Sequence, residues 1–345
     1  MIITASPRIA SRGSFGFRTL SPTSIDRTDA AEAHGNFALA YSVAHQPGLS
    51  HFGNAQGFLT YKTVGRTACV LADPLAPGNL WEGLVDAFLA NHRRVCFWQI
   101  SPGMASILSE RGFSVNEFGL ETWLDLAKYN FAGPKRRSFR TADNRFAASG
   151  HRVAEVPMGE LDPQRIDDIS LAWRNTKANS KRELGFLIRP VRLTDEPGVR
   201  KFFLLDGDGQ PVAFAFFDPL HEAGRVVGYL STTRRWRTDI DPLASYFLVR
   251  RAIETFQAEG VARLHLGLMP LHGISHQAGT GDWLMHKAFS IFHSNAWIQR
   301  TFYSSQSLSK HKESYEGETR PTFCASNGRM PVLSPLYLIR ACGIV

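Results

Sequence analysis

Arg234, Arg235 and Arg237 lie almost side by side at the end of an apolar stretch, GYLSTTRRW, with Asp239 and Asp241 just beyond. The stretch reads as a strand. That sets the arginines at a strand's C-terminal end, the edge where open α/β sheets keep their ligand clefts. A guanidinium fork matches phosphate and carboxylate oxygens, so one reading is an anion clamp; a salt-bridged surface loop is the other. The connection RRWRTDIDP has no glycine. A pyrophosphate loop for coenzyme A needs one between strand and helix, which disfavours an acyl-CoA-dependent N-acyltransferase. His272 and His276 have the i, i+4 spacing of a metal pair, but Gly273 interrupts the helix that would align them and no acid lies at ligand spacing, so no metal is expected. Gln277–Gly281 is glycine-rich without dinucleotide spacing and reads as a surface loop. GxxxxGK[ST], HExxH and GxSxG do not occur.

Composition bounds the partners. The 345 residues suit two domains, and an apolar fraction of 43% supplies a core for each. A net charge of +8 fits a polyanionic partner, RNA or an anionic membrane surface, or a generic basic protein with neither. The four cysteines, at 69, 96, 324 and 342, form no CxxC pair and read as buried reduced thiols. No apolar run reaches the roughly 18 residues that span a bilayer. The first segment, MIITASPRIASRGSFGFRTL, has no signal-peptide core and reads as a flexible or edge-strand leader. The expectation is a cytoplasmic protein that meets lipid only as a peripheral visitor at the inner membrane face.

The candidate residues need elements to hold them. FGNAQGFLTYKTVGRTACVLADPLAP predicts two strands with a turn at Lys62–Arg66. LWEGLVDAFLANHRR and MASILSERGF predict helices on either side of a buried strand, VCFWQI, the second stopped by Gly112. FGLETWLDL predicts another strand. In the second half DPQRIDDISLAWRNTK predicts a helix and KFFLLDGDGQPVAFAFFDPL an Asp-Gly hairpin. GYLSTTRRW, DPLASYFLVRRAIETFQAEG and VARLHLGLMPL follow as the strand, helix and strand of a parallel crossover. Between the halves, NFAGPKRRSFRTADNRFAASGHRV carries Lys135, Arg136, Arg137, Arg140 and Arg145, either as a solvated helix face or as a phosphate-contacting segment. The final PVLSPLYLIRACGIV reads as a docked terminal segment, with a last strand or a membrane contact as alternatives.

In this order the pieces resemble the catalytic domain of the aminoacyl-phosphatidylglycerol synthases. GFLTYKTVGRTACVLADPLAP is similar to that family's opening strand, turn and Ala-Asp-Pro. FGLETWLDL with GPKRRSFRTADNR resembles its Gly-x-Glu strand and basic linker, and LAWRNTK its Trp-x-x-x-Lys helix. VARLHLGLMPL resembles its Leu-Gly-Leu-x-Pro-Leu strand, and YSSQSLSKHK its closing pattern on Tyr303, Leu308 and Lys312. The resemblance covers about residues 35–320. It implies an α/β (α+β) chain with a tandem acetyltransferase-like (double GNAT-type) fold, mixed central sheets with flanking helices. The expected division is a leader over 1–30, a first domain over 31–155, and a second over 156–345 that carries the active site.

The resemblance also implies a reaction: transfer of an amino acid from aminoacyl-tRNA to the hydroxyl or amine of a lipid headgroup or small metabolite. Aminoacyl-tRNA is then a co-substrate, with no further cofactor. An aminoacyl ester is already activated, so the needs are orientation, removal of one proton and stabilisation of an oxyanion. Arg235, Lys312 and Asp239 match the family's functional positions, with Asp239 orienting Arg235 or binding the α-amino group. Glu121, Thr232, Tyr246, Tyr303, Trp173 and Lys177 are the implied substrate contacts, and the five linker cations the implied tRNA contacts. The sequence departs where the family has Asp-x-Met-Arg, which here is Thr232-Thr233-Arg234-Arg235, and where it has an Asp, which here is Tyr246. Two acids suited to a lysyl ammonium are missing, so the expected donor carries a neutral or small side chain rather than lysine. A non-catalytic RNA- or membrane-binding relative is the competing expectation, disfavoured by the retention of Arg235, Asp239 and Lys312.

Overall fold

The computed structural model describes residues 16–20, 27–177, 183–274, 283–295, 305–328 and 330–344. Strands β1 (Arg18–Leu20), β2 (Ser50–Asn54), β3 (Gly57–Val64), β4 (Thr67–Leu71), β5 (Val95–Ile100) and β6 (Ser114–Asp125) come from the first half of the chain. Strands β7 (Arg152–Glu155), which ends at the expected boundary yet pairs with β8, β8 (Arg200–Leu205), β9 (Pro211–Glu222), β10 (Arg225–Trp236), β11 (Arg263–Pro270) and β12 (Glu318–Ser326) follow. All belong to one sheet, in the order β1-β2-β3-β4-β5-β12-β6-β11-β10-β9-β8-β7.

Each half contains one parallel crossover. β4 and β5, joined through helix α3 (Trp81–Asn91), are short and buried along their whole length, as strands covered on both faces must be. β10 and β11 repeat the arrangement through helix α7 (Ala244–Ala258), the crossover expected from the sequence. The hairpin between β8 and β9 turns at Asp206–Gly209, where Asp206 Oδ1 accepts from the Asp208 and Gln210 amides. The mixed sheet with flanking helices is the fold class read from the sequence; the first-half crossover adds to it.

Helices cover both faces. In the first half α3 and α4 (Pro102–Glu110) lie on one face, α4 started by the Ser101 hydroxyl accepting from the Met104 amide and by Pro102. The other face packs against α1 (Arg27–His34) and α2 (Ala40–His45). In the second half α5 (Arg137–Ala148) and α7 share one core, while α6 (Pro163–Asn175) packs on the opposite face. Helix α8 (Trp283–Ser294), helix α9 (Ser305–Glu313) and helix α10 (Ser334–Ala341) complete the described elements. All four cysteines are buried free thiols in or beside one core.

One feature was not foreseen. Strand β12, from the last tenth of the chain, lies between β5 and β6 and pairs antiparallel with both. The closing segment is docked, as expected, and as a helix rather than a strand: α10 packs on the first half, and Lys62 Nζ donates to the Ala341 carbonyl at 2.7 Å. Residues assigned from sequence to the second domain therefore complete the sheet and core of the first. At the other end β1 is an edge strand paired with β2.

Candidate active site

The pairing registers create a meeting point. β5 and β11 approach the middle of the long strand β6 from opposite ends. Gly119 of β6 faces Pro270, the last residue of β11, and Thr322 of β12; the next β12 residue, Phe323, faces Ile100, the last residue of β5. Gly119 has φ +149°, and a Cβ there would lie 2.3 Å from the Met269 carbonyl oxygen, so only glycine permits this approach. Ala72 and Gln99, at the ends of β4 and β5, and Leu271, just past β11, all have left-handed φ near +60°. Strained backbone of this kind collects where side chains are aimed for function.

A cleft opens beside that point. β10 and β11 pair only as far as Leu230 and His265, after which β10 runs on to Trp236 with β9 alone while β11 stays with β6. Lys312, from α9, reaches into the gap. Its Nζ donates to the Leu268 carbonyl at 2.8 Å and lies 3.5 Å from where a Cβ on Gly267 would be. Only 6% of Lys312 is exposed. Burial, reinforced by the positive Arg234 and opposed by Glu121, lowers its pKa from 10.5 to about 7. Glu121 faces Leu268 across the β6–β11 ladder and accepts from Gln99 Nε2 at 2.7 Å. Burial raises its pKa, as does the nearby Asp73. Asp73 accepts from the Ser101 amide at 3.0 Å, and burial pushes it up to about 6. Lys312 and Glu121, both singled out from sequence, thus share one buried neighbourhood, to which the first half adds Gln99 and Asp73.

Successive residues of a strand point to opposite faces, and this divides the arginines. Arg234 faces α9 and α7. It touches His311 Nε2 and lies 3.1 Å from the Tyr315 hydroxyl, and His311 Nδ1 lies 3.0 Å from the Tyr246 hydroxyl. Burial, with Arg234 and Lys312 nearby, drives the His311 pKa far down and keeps the ring neutral. Arg235 faces α6 instead. Its guanidinium makes a bidentate pair with Glu183 at 2.6 and 2.7 Å, bonds Ser170 Oγ, and lies 5.5 Å from the Trp173 ring. Lys177 sits 4.5 Å from the same ring, and burial lowers its pKa. Arg234, not Arg235, is therefore the arginine beside Lys312.

The remaining sequence candidates are dispersed. Asp239 is exposed and paired with Arg237. The acid that orients Arg235 is Glu183, because the chain turns outward after Trp236 and carries Asp239 away. Thr232 donates to the Phe216 carbonyl of β9 at 3.0 Å. Tyr303 lies outside the described residues, as does His276. His272 lies 3.0 Å from Glu313. In the basic linker, Lys135 and Arg136 pair with Glu316, Arg140 donates to the Phe131 and Gly133 carbonyls, and Arg145 pairs with Asp241. Arg137 is exposed. Most of that charge serves to tie α5 down. Sequence reasoning missed His311, Tyr315, Asp73, Gln99 and Glu183. The i, i+4 spacing of His311 and Tyr315 was a signal for two of them; the others come from distant elements.

Comparison with known proteins agrees with this architecture. The family model described as phosphatidylglycerol lysyltransferase, C-terminal, matches residues 27–326. A phosphatidylglycerol lysyltransferase of Bacillus subtilis is 25% identical over 297 residues, 84% of this chain and 33% of the relative. The chain thus spans about a third of the length of the curated relatives it matches. Among solved structures, that of L-PGS from Bacillus licheniformis superposes with a TM-score of 0.75 at 19% identity, covering 92% of this chain and 95% of that one. The C-terminal domain of a putative lysylphosphatidylglycerol synthetase from Agrobacterium fabrum gives 0.72 at 18% identity, covering 93% and 99%. With the family model matching most of its length, the chain belongs to the phosphatidylglycerol lysyltransferase C-terminal family.

Proposed function

We propose that the protein is an aminoacyltransferase that moves an amino acid from aminoacyl-tRNA to a hydroxyl of a lipid headgroup, with the cleft between β10 and β11 as the reaction site. The acceptor oxygen attacks the aminoacyl ester carbonyl, the new C–O bond forms, and the ester bond to the tRNA ribose breaks. One proton passes from the acceptor hydroxyl to the departing ribose oxygen. Lys312 Nζ suits this transfer because, with its pKa lowered to about 7, a large fraction is unprotonated at neutral pH and able to take that proton. That buried, cleft-directed lysine, in a chain of this family, carries the proposal. Glu121 lies on the first-half side of Lys312 and favours its protonated form as the proton arrives. Arg235, its fork taken up by Glu183 and its guanidinium close to Trp173, shapes the site from the other face of β10.

The donor is one other than lysyl-tRNA: Thr232 and Tyr246 offer no carboxylate to an ammonium, and Arg234 repels one. No further cofactor or metal takes part. Access to lipid is favoured by the exposed Trp283, Leu284 and Ile291 of α8 beside Met330, Leu333 and Leu336, an apolar patch suited to peripheral contact with a membrane face. No described helix is long and apolar enough to cross a membrane. The test is transfer of radiolabel from a panel of charged tRNAs to a lipid extract and, in parallel, to a cell-metabolite extract. Label in an organic-phase product from a tRNA other than lysyl is the expected result. Label only in water-soluble products would reassign the acceptor to a small metabolite. Best transfer from lysyl-tRNA would remove the donor assignment, and no transfer from any intact charged tRNA the function.

A further inference from the structure

Arg234 differs from most of the buried and half-buried arginines of the second half. Arg189 meets Asp218 and Glu196, Arg200 meets Glu155 and Glu259, Arg235 meets Glu183, and Arg250 and Arg251 both meet Asp143. Arg234 contacts no carboxylate among the described residues; its partners are an imidazole and a phenol. A guanidinium does not lose its proton in a protein, so this half-buried charge stands uncompensated, with a second cation, Lys312, close enough to be depressed by it.

The hydrogen bonds fix which groups remain to be used. Arg234 Nη1 can only donate, so His311 Nε2 accepts and the ring proton sits on Nδ1. That proton is donated to the Tyr246 hydroxyl oxygen. Tyr246 keeps its own O–H, and Arg234 keeps its Nη2 and Nε donors. Two kinds of donor, one charged, are thereby held in place by α7, α9 and β10 with no acceptor supplied by the described protein. We propose that Arg234 and Tyr246 form a subsite for a substrate oxyanion at the mouth of the cleft between β10 and β11. Two substrates carry such a group: an acidic aminoacyl donor, through its side-chain carboxylate, and a lipid headgroup, through its phosphodiester. The identity of the ligand rests on the transfer reaction proposed above; the binding does not, and is tested without it.

The experiment titrates the full chain with acetate and, separately, with dimethyl phosphate at constant ionic strength, reading the thermal midpoint and tyrosine fluorescence. Saturable stabilisation of the wild type by one of the two is expected, with chloride as the inert control. Arg234→Met should weaken apparent affinity roughly 10- to 100-fold, the loss of a charge-assisted bidentate contact. Arg234→Lys keeps the charge and loses the fork, and should weaken it to an intermediate degree even if the Met variant folds poorly. Preference for acetate assigns the subsite to an acidic donor, and aspartyl- or glutamyl-tRNA should then be the donor most impaired by Arg234→Lys. Preference for dimethyl phosphate assigns it to the acceptor, and the variant should then affect all donors equally. Neither anion stabilising the folded wild type, or equal stabilisation of wild type and both variants, overturns the subsite.

Discussion

Replacing Lys312 by Met gives the sharpest test of the cleft, because charge and burial make opposite demands there. The pKa falls from 10.5 to about 7 on folding. At about 1.36 kcal/mol per pH unit, holding the protonated amine in the folded protein costs roughly 4–5 kcal/mol. The sign follows from proton counts. Between about pH 7 and 10.5 the unfolded chain binds the extra proton, so folding stability contributed by this residue rises with pH across that window. Below about pH 7 both states are protonated and the full penalty applies. Methionine carries no charge and fills much the same space, so Lys312→Met should be the more stable protein at pH 6. The advantage should shrink by several kcal/mol by pH 10, leaving a deficit of about 1 kcal/mol for the lost bond to the Leu268 carbonyl. Urea midpoints of the two proteins from pH 6 to 10 measure this directly. Transfer activity of the wild type should rise with pH through an apparent pKa near 7, and the variant should lose both most of its turnover and that limb. Parallel stability curves across the range, or a surviving limb in the variant, would refute the placement of Lys312 as a buried, largely neutral proton acceptor.

Two further outcomes follow from neighbouring residues. Glu183→Gln leaves Arg235 without its carboxylate and Arg174 without a partner; with Glu183 partly open to solvent the loss should be about 1–3 kcal/mol by chemical denaturation, with a larger proportional loss of transfer. Gly267→Ala forces an alanine to φ +75° and sets a methyl 3.5 Å from Lys312 Nζ, so it should cost about 1–2 kcal/mol in stability and shift the pH limb of activity. An unchanged pH profile in that variant would show that the amine does not occupy the gap.

The sequence carried the local elements well and the long-range pairings poorly. The second-half crossover, the Asp-Gly hairpin and α7 were legible because each is written in contiguous periodicity or turn chemistry, whereas the parallel pairing of β4 with β5 was not read. β12 was not: ETRPTFCAS is polar at its start and contains Pro321, and what makes it a strand is the slot between β5 and β6, set by residues some 200 positions away. The site divides in the same way. Lys312 and Glu121 were identified through the family resemblance, and the structure brings them together. The pairing of Arg235 with Asp239 was also implied by the resemblance, whereas the outward turn after Trp236 separates them and Glu183 takes the place of Asp239. The linker cations looked available because charge runs do not reveal their partners, and Glu316 and Asp241 lie far along the chain.

Strand β12 also governs how the molecule can come into being. Until residue 326 has left the ribosome, β5 and β6 have no neighbour between them, and the first half holds two open strand edges at the centre of its own sheet. The Val95 amide finds its acceptor in the side chain of Asn327, 232 residues later. Closure of such distant contacts is slow and comes last. The protein therefore cannot mature half by half during synthesis, as chains of two independent domains do. A chain cut before β12 is made keeps a sheet split down the middle, and removal of residues 316–345 should abolish the fold of the first hundred.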